Sequence, residues 1–147
     1  MITHAGVAEK IYDALNADAT LKDANHLTSS GKIFNSPVRP TAFGGNAITL
    51  NLIPSKMIGE QNFAQEFLLL LNVYLLTLGD HSPDGARSKR VAVRVQTVLN
   101  DAVFSASEFS RLRLRKEIPE GFTGIAGADG ILTETFWTHS YFVTADE

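Results

Sequence analysis

The chain has 147 residues, 44% of them hydrophobic, enough to bury one sizeable core and too few to suggest two independent domains. Sixteen acidic against thirteen basic residues leave a formal charge of -3, which gives no overall attraction to phosphate backbones or anionic membrane surfaces. Cysteine is absent, which excludes disulfides, thiolate metal sites and cysteine nucleophiles and fits a reducing cytoplasm.

Met1 to Lys10 lack a basic start followed by an apolar run, and no later stretch approaches the roughly 20 apolar residues that span a bilayer, so neither secretion nor membrane insertion is expected. From Thr3 to Leu21, Val7, Ile11 and Leu15 recur at helical spacing, and Ala8, Tyr12 and Ala14 widen the stripe. This predicts an amphipathic first helix with Thr3 as N-cap and a polar end at residues 16–20. Gly31 to Val38 offers a short extended piece around Ile33 and Phe34, followed by turn-forming Gly44, Gly45 and Asn46. Ala47 to Ile53 alternates Ile48, Leu50 and Leu52 with Thr49 and Asn51, a strand with one buried face that Pro54 is expected to interrupt.

Gln65 to Leu78 is greasy on both faces, with Phe67, Leu69, Leu71, Val73 and Leu75 on one and Leu68, Leu70, Tyr74, Leu76 and Leu78 on the other. A lone domain of this size needs one apolar sheet face, so the second calls for a helix or a neighbouring subunit. Residues 79–85 are dense in turn formers, and Ser82-Pro83 reads as the start of a second helix striped by Val91, Val95, Val98, Leu99 and Val103. Arg87, Lys89, Arg90 and Arg94 crowd its early turns, at the unfavourable end of the helix dipole. Arg111 to Ile118 reads as a strand whose one face is basic, residues 117–130 as a long glycine-rich loop, and Leu132 to Thr144 as a β-branched and aromatic closing strand. Together these predict one α+β domain over residues 1–147, a mostly antiparallel sheet of four to five strands packed with two main helices.

Motifs that carry chemistry are sparse. The glycines of 121–130 lack the lysine and helix of a phosphate loop. His4, His26, His81 and His139 lack the spacing that puts two imidazoles on one metal ion, and no Gly-x-Ser-x-Gly elbow occurs. His81 beside Asp80 and Asp84 reads as turn chemistry first and as an acid/base or metal cluster second; His139 on a strand reads as packed or interfacial. No catalytic residue, cofactor or metal is expected, and the chain is read as a non-enzyme. The rival class, a small ligand-binding protein or enzyme, would need converging polar groups around His81, Asp84 and His139. Arg111, Arg113 and Arg115 on one strand face suit ion pairing or solvation better than phosphate binding in a chain that is acidic overall. With Phe136, Trp137 and Tyr141, aromatic anchors of the closing strand, they form the expected interface set.

The order of Val7-Ala-Glu-Lys-Ile-Tyr-Asp-Ala-Leu15, Gly31-Lys-Ile-Phe34, Phe67-Leu-Leu-Leu-Leu-Asn-Val-Tyr74 and Thr135-Phe-Trp-Thr-His-Ser-Tyr-Phe-Val143 resembles the tail terminator, or tail completion, proteins of long-tailed bacteriophages. The resemblance covers most of the chain and rests on element order and apolar pattern. It implies a structural subunit that forms a homo-oligomeric ring, commonly a hexamer, which caps the tail tube, ends its polymerisation and docks to the head connector. Partners would be the chain itself, the tail tube protein and the connector protein, with no membrane and with DNA only as passing cargo. The implied location is the virion tail, assembled in the host cytoplasm. Another head-tail joining or tail-tube protein shares this logic.

Overall fold

The computed structural model describes residues 2–40, 42–58, 64–75, 85–104, 108–126, 128 and 132–147. Helix α1 spans His4–Asn16. Thr3 caps it in extended conformation, its hydroxyl oxygen accepting from the Gly6 amide at 3.1 Å. The Glu108 carboxylate accepts from the Thr3 amide and hydroxyl at 2.9 and 2.7 Å, which places a negative charge at the positive end of the helix. The helix stops at Asn16, at the start of the polar end expected over residues 16–20; a 3-10 turn over Thr20–Lys22 follows, because the Asp18 carboxylate takes the Leu21 amide. Helix α2 spans Gly85–Leu99. The expected Ser82-Pro83 start, Leu76, Leu78 and the His81, Asp80, Asp84 cluster lie outside the described residues.

Five strands form one sheet: β1 (Lys32–Phe34), β2 (Ala47–Ile58), β3 (Ala64–Tyr74), β4 (Arg111–Ala126) and β5 (Leu132–Asp146), in the order β1-β2-β3-β5-β4. Every neighbouring pair is antiparallel except β1 with β2. The fold is therefore α+β with a mostly antiparallel sheet, as the periodicities predict.

Both helices pack on one face. Val7, Ile11 and Leu15 of α1 and Val91, Ala92, Val95 and Leu99 of α2 meet Phe67, Leu69, Leu71, Tyr141 and Val143 in a single core. Each such side chain contributes about 1.5–3 kcal/mol when removed from water. Two strand boundaries differ from expectation. Pro54 does not end β2: the strand continues to Ile58 through a register shift between Pro54 and Lys56. Residues 117–126, expected in a loop, extend β4 to Ala126. Shifts in register on either side of Ile118 accommodate Pro119 and Gly121, and β4 is an edge strand, where a missing amide donor is tolerated. Pairing with the β-branched and aromatic start of β5 outweighs the local preference of the glycines for a turn.

Candidate functional site

The sheet face away from the helices carries the residues expected to need a neighbour. Register places Ile53 beside Leu68, Leu68 beside Phe142, Leu70 between Asn51 and Ser140, and Asn72 beside Thr138. The Thr138 hydroxyl donates to the Asn72 side-chain oxygen at 2.7 Å. Leu68, Leu70, Phe136 and Phe142 are partly buried and Ile53 is exposed, so this face mixes apolar and polar groups and no described helix covers it. At its β1 end Phe34 packs against Phe43, and the Arg39 guanidinium lies 4.7 Å from the centre of the Tyr74 ring, which in turn touches Phe136.

The three arginines sit on the other side of the same face. Arg113 is opposite Thr144 and Arg115 opposite Phe142, while Leu112 and Leu114 turn into the core, so the alternation read from the sequence is the alternation in the sheet. All three are engaged within the subunit. Arg113 binds Asp146 at two points, 2.7 and 2.9 Å; Arg111 approaches the same carboxylate at 3.6 Å; and Arg115 pairs with Glu117 at 3.2 Å while lying over the Phe142 ring. The Arg113 hydrogen bond, followed by its charge and that of Arg111, holds the Asp146 carboxyl below its usual range.

The expected interface set does not converge on one patch. Phe136 shares the helix-free face with the arginines, but Trp137 points to the other side, against Phe122 and close to where a side chain on Gly85 would lie. Tyr141 is a correction: it is fully buried on the helix side, where its hydroxyl donates to the Ala92 carbonyl at 2.8 Å. Alternation along β5 dictates this, since Tyr141 opposes Leu69 and shares its face. Burial raises its phenol pKa well above the usual value.

Among the described residues, β5 pairs with β3 only up to Val73 and Trp137, and the distal parts of β4 and β5 continue as a two-stranded arm pairing Thr123 with Phe136, Gly124 with Thr135 and Ile125 with Glu134. Residues 121–125 are all exposed, including Phe122 and Ile125. A bare two-stranded ribbon is marginal in water, so an apolar arm of this kind asks for a surface to lie on. Sequence reading missed the arm because its glycines resemble loop punctuation; the signal that could have found it is the match in length between residues 111–126 and the alternating stretch 132–146.

Among the described residues, a polar cluster under α2 allows acid/base chemistry to be tested. His139 Nε2 lies 2.7 Å from the Ser88 hydroxyl, and its Nδ1 lies 3.1 Å from the Lys116 ammonium. Glu120 bridges Lys116 at 3.6 Å and Lys89 at 3.2 Å. An ammonium can only donate, so Nδ1 accepts and Nε2 carries the proton toward Ser88. A serine nucleophile needs the reverse, an unprotonated Nε2 to take its proton. Ser88 and His139 are both fully buried, and burial, followed by the Lys116 charge, lowers the His139 pKa to about 4. The cluster fastens α2 to β4 and β5. Among the described residues no group of three or more acidic or histidine side chains could hold a metal ion.

No protein-family model and no curated protein matches this chain. Among solved structures it is similar to a chain from the virion of a native gene transfer agent particle, at 16% identity and a TM-score of 0.64, over 99% of this chain and 100% of that one. The likeness is one of fold. A second solved chain is 12% identical with a TM-score of 0.50 and is covered to 97%. Both likenesses extend over nearly the whole length of each chain.

Proposed function

We propose that this protein is a structural subunit of a phage-like virion: a tail terminator that closes into a ring, a hexamer, on the end of the tail tube, stops tube growth and presents the docking surface for the head connector. The observation that carries this reading is the end-to-end similarity of fold to a chain of a gene transfer agent virion. The helix-free sheet face supports it, because Leu68, Leu70, Ile53 and Phe142 gain from a neighbouring protein surface. Arg111, Arg113, Arg115 and Phe136 are the rim of that contact; Trp137 acts through the arm. Such a protein works by binding and steric blocking, with no reaction catalysed and no cofactor required. It would be assembled in the host cytoplasm, end in the virion tail, and meet DNA as cargo passing through the ring.

The test is the mass of the purified protein by light scattering across concentration, then its addition to growing tail tubes viewed by electron microscopy. Closed rings, and tubes that stop growing with a cap at one end, are the expected result. A concentration-independent monomer that leaves tube growth unchanged would sink the reading, whereas a protein that extends the tubes or sits only on the head would favour a tube or head-tail joining role.

A further inference from the structure

The arm has no basic residue and α2 has no acidic one. The arm, residues 122–136, holds Asp129 and Glu134 with neither lysine nor arginine, while α2 holds Arg87, Lys89, Arg90 and Arg94 with neither aspartate nor glutamate. Adding residues 17–26, which lie along the helix and contribute Lys22, Asp18 and Asp23, still leaves five basic residues against two acidic ones, a net +3. Between α2 and that segment runs a groove of about 370 Å³, bordered by Thr20, His26, Arg90 and Thr97. Its apolar element is Val93, which is 65% exposed on the outer side of α2. On the arm, Phe122 is 41% exposed.

We infer that the arm of one copy lies in the α2 groove of the next, with Phe122 against Val93 and the acidic arm along the basic helix. This rests on the ring reading and names the contact that would build the ring. Both halves of the match, in charge and in apolar character, belong to the same chain, so the occupant is a second copy. Two different patches can meet reciprocally across a two-fold axis, each arm on the other copy's helix, or head to tail around a ring. The ring reading selects the head-to-tail arrangement, the kind of contact that repeats around a closed ring. The Lys89–Glu120 pair at 3.2 Å within one copy already uses the same chemistry at the root of the arm.

The natural absence of cysteine makes the test clean. Phe122→Cys and Val93→Cys are prepared as separate proteins, one carrying a mass tag, then mixed, oxidised and run on a denaturing gel. The expected product is the mixed 122–93 dimer, at least tenfold above either same-site dimer. In a second arm, Phe122→Asp and Val93→Asp each fail to assemble alone but form a dimer when mixed, since one intact arm and one intact groove remain. Both positions are exposed, and circular dichroism checks that the variants fold. If the wild-type protein assembles but the mixed disulfide is no more abundant than same-site ones, this contact is overturned and the ring stands. If the wild-type protein stays monomeric at every concentration and no mixed disulfide forms, both fall.

Discussion

Arg94 on α2 and Asp18 behind α1 meet in a two-point ion pair, Nε at 2.8 Å and Nη2 at 2.7 Å from the two carboxylate oxygens. The Asp18 carboxylate also accepts from the Leu21 amide, so one aspartate both starts the 3-10 turn and fastens it to the second helix. Arg87 and Arg90 donate to the carbonyls of His26 and Asn25, which makes the basic row of α2 a clasp on residues 18–26. The hydrogen bond from Arg94 is the main reason that the Asp18 carboxyl titrates below its usual range.

A depressed carboxyl contributes stability that is fully present above its unfolded pKa, near 3.9, and is lost as pH falls through the folded value. Asp18→Asn is therefore expected to lower the urea midpoint at pH 7 and to flatten the decline in stability below about pH 4. Urea titrations at pH 3, 4 and 7 check this; an unchanged acid slope in the variant would show that Asp18 is not a source of it.

His139 works with the same sign at higher pH. Its folded pKa of about 4 lies below the unfolded value near 6.5, so the unfolded chain binds the extra proton first as pH falls. Stability should drop between pH 6.5 and 4 and level off below, by at most about 3 kcal/mol from this residue. His139→Gln should remove that slope while leaving the acid limb below pH 4 in place, as read from denaturation midpoints across pH.

Tyr141→Phe separates core from interface. The variant loses one hydrogen bond to the Ala92 carbonyl and should cost about 0.5–1.5 kcal/mol in urea unfolding. Because the ring is fully buried, the oligomeric mass should not change. A variant of normal stability that no longer assembles would mean that the hydroxyl reaches another subunit after all.

Leu70→Glu probes the opposite face. Leu70 sits between Asn51 and Ser140 on the helix-free side and is only partly buried, so the folded subunit should tolerate the charge with little change in its circular dichroism spectrum. Assembly should fall at least tenfold in light scattering if this face is covered in the ring. Unaltered assembly would remove the face from the interface.

Gly31→Ala tests a close approach. A Cβ at Gly31 would lie 2.6 Å from both the Leu27 carbonyl oxygen and its Cβ, and that carbonyl already accepts from the Asn46 side chain. Backbone on one side and a buried leucine on the other leave little room to yield, so a loss of about 1–3 kcal/mol is expected in thermal or urea unfolding.

Period-two alternation made β2, β3 and β5 legible, and the stripe Val7, Ile11, Leu15 made α1 legible, because each element buries one face and the burial repeats with the geometry of the backbone. The two faces of β3 were also readable: the helices take the Phe67 and Leu69 side, and among the described residues no helix lies over Leu68 and Leu70. What failed were places where a distant partner decides. Pro119 and Gly121 look like loop residues until Ser140 and Thr138 are set opposite the register shifts that hold them. Tyr141 looks like an anchor for a partner until its facing is fixed by Leu69 across the ladder. The Ser88, His139, Lys116 and Glu120 cluster draws on one helix and two strands, and no short spacing announces it.

The position of β5 between β3 and β4 has a consequence for how the polypeptide reaches this state during synthesis. Ala64 pairs with Asp146 and Val73 with Trp137, so the middle of the sheet joins stretches made far apart in time. Until β5 leaves the ribosome, β3 has one bare edge and β4 has no partner strand beyond the bridge from Val103 to Arg111, and the leucine-rich strand Phe67–Leu71 is an open template for any extended chain nearby. Insertion of β5 closes that window in a single event, so nascent chains stalled before residue 132 are the ones that chaperones would be found holding.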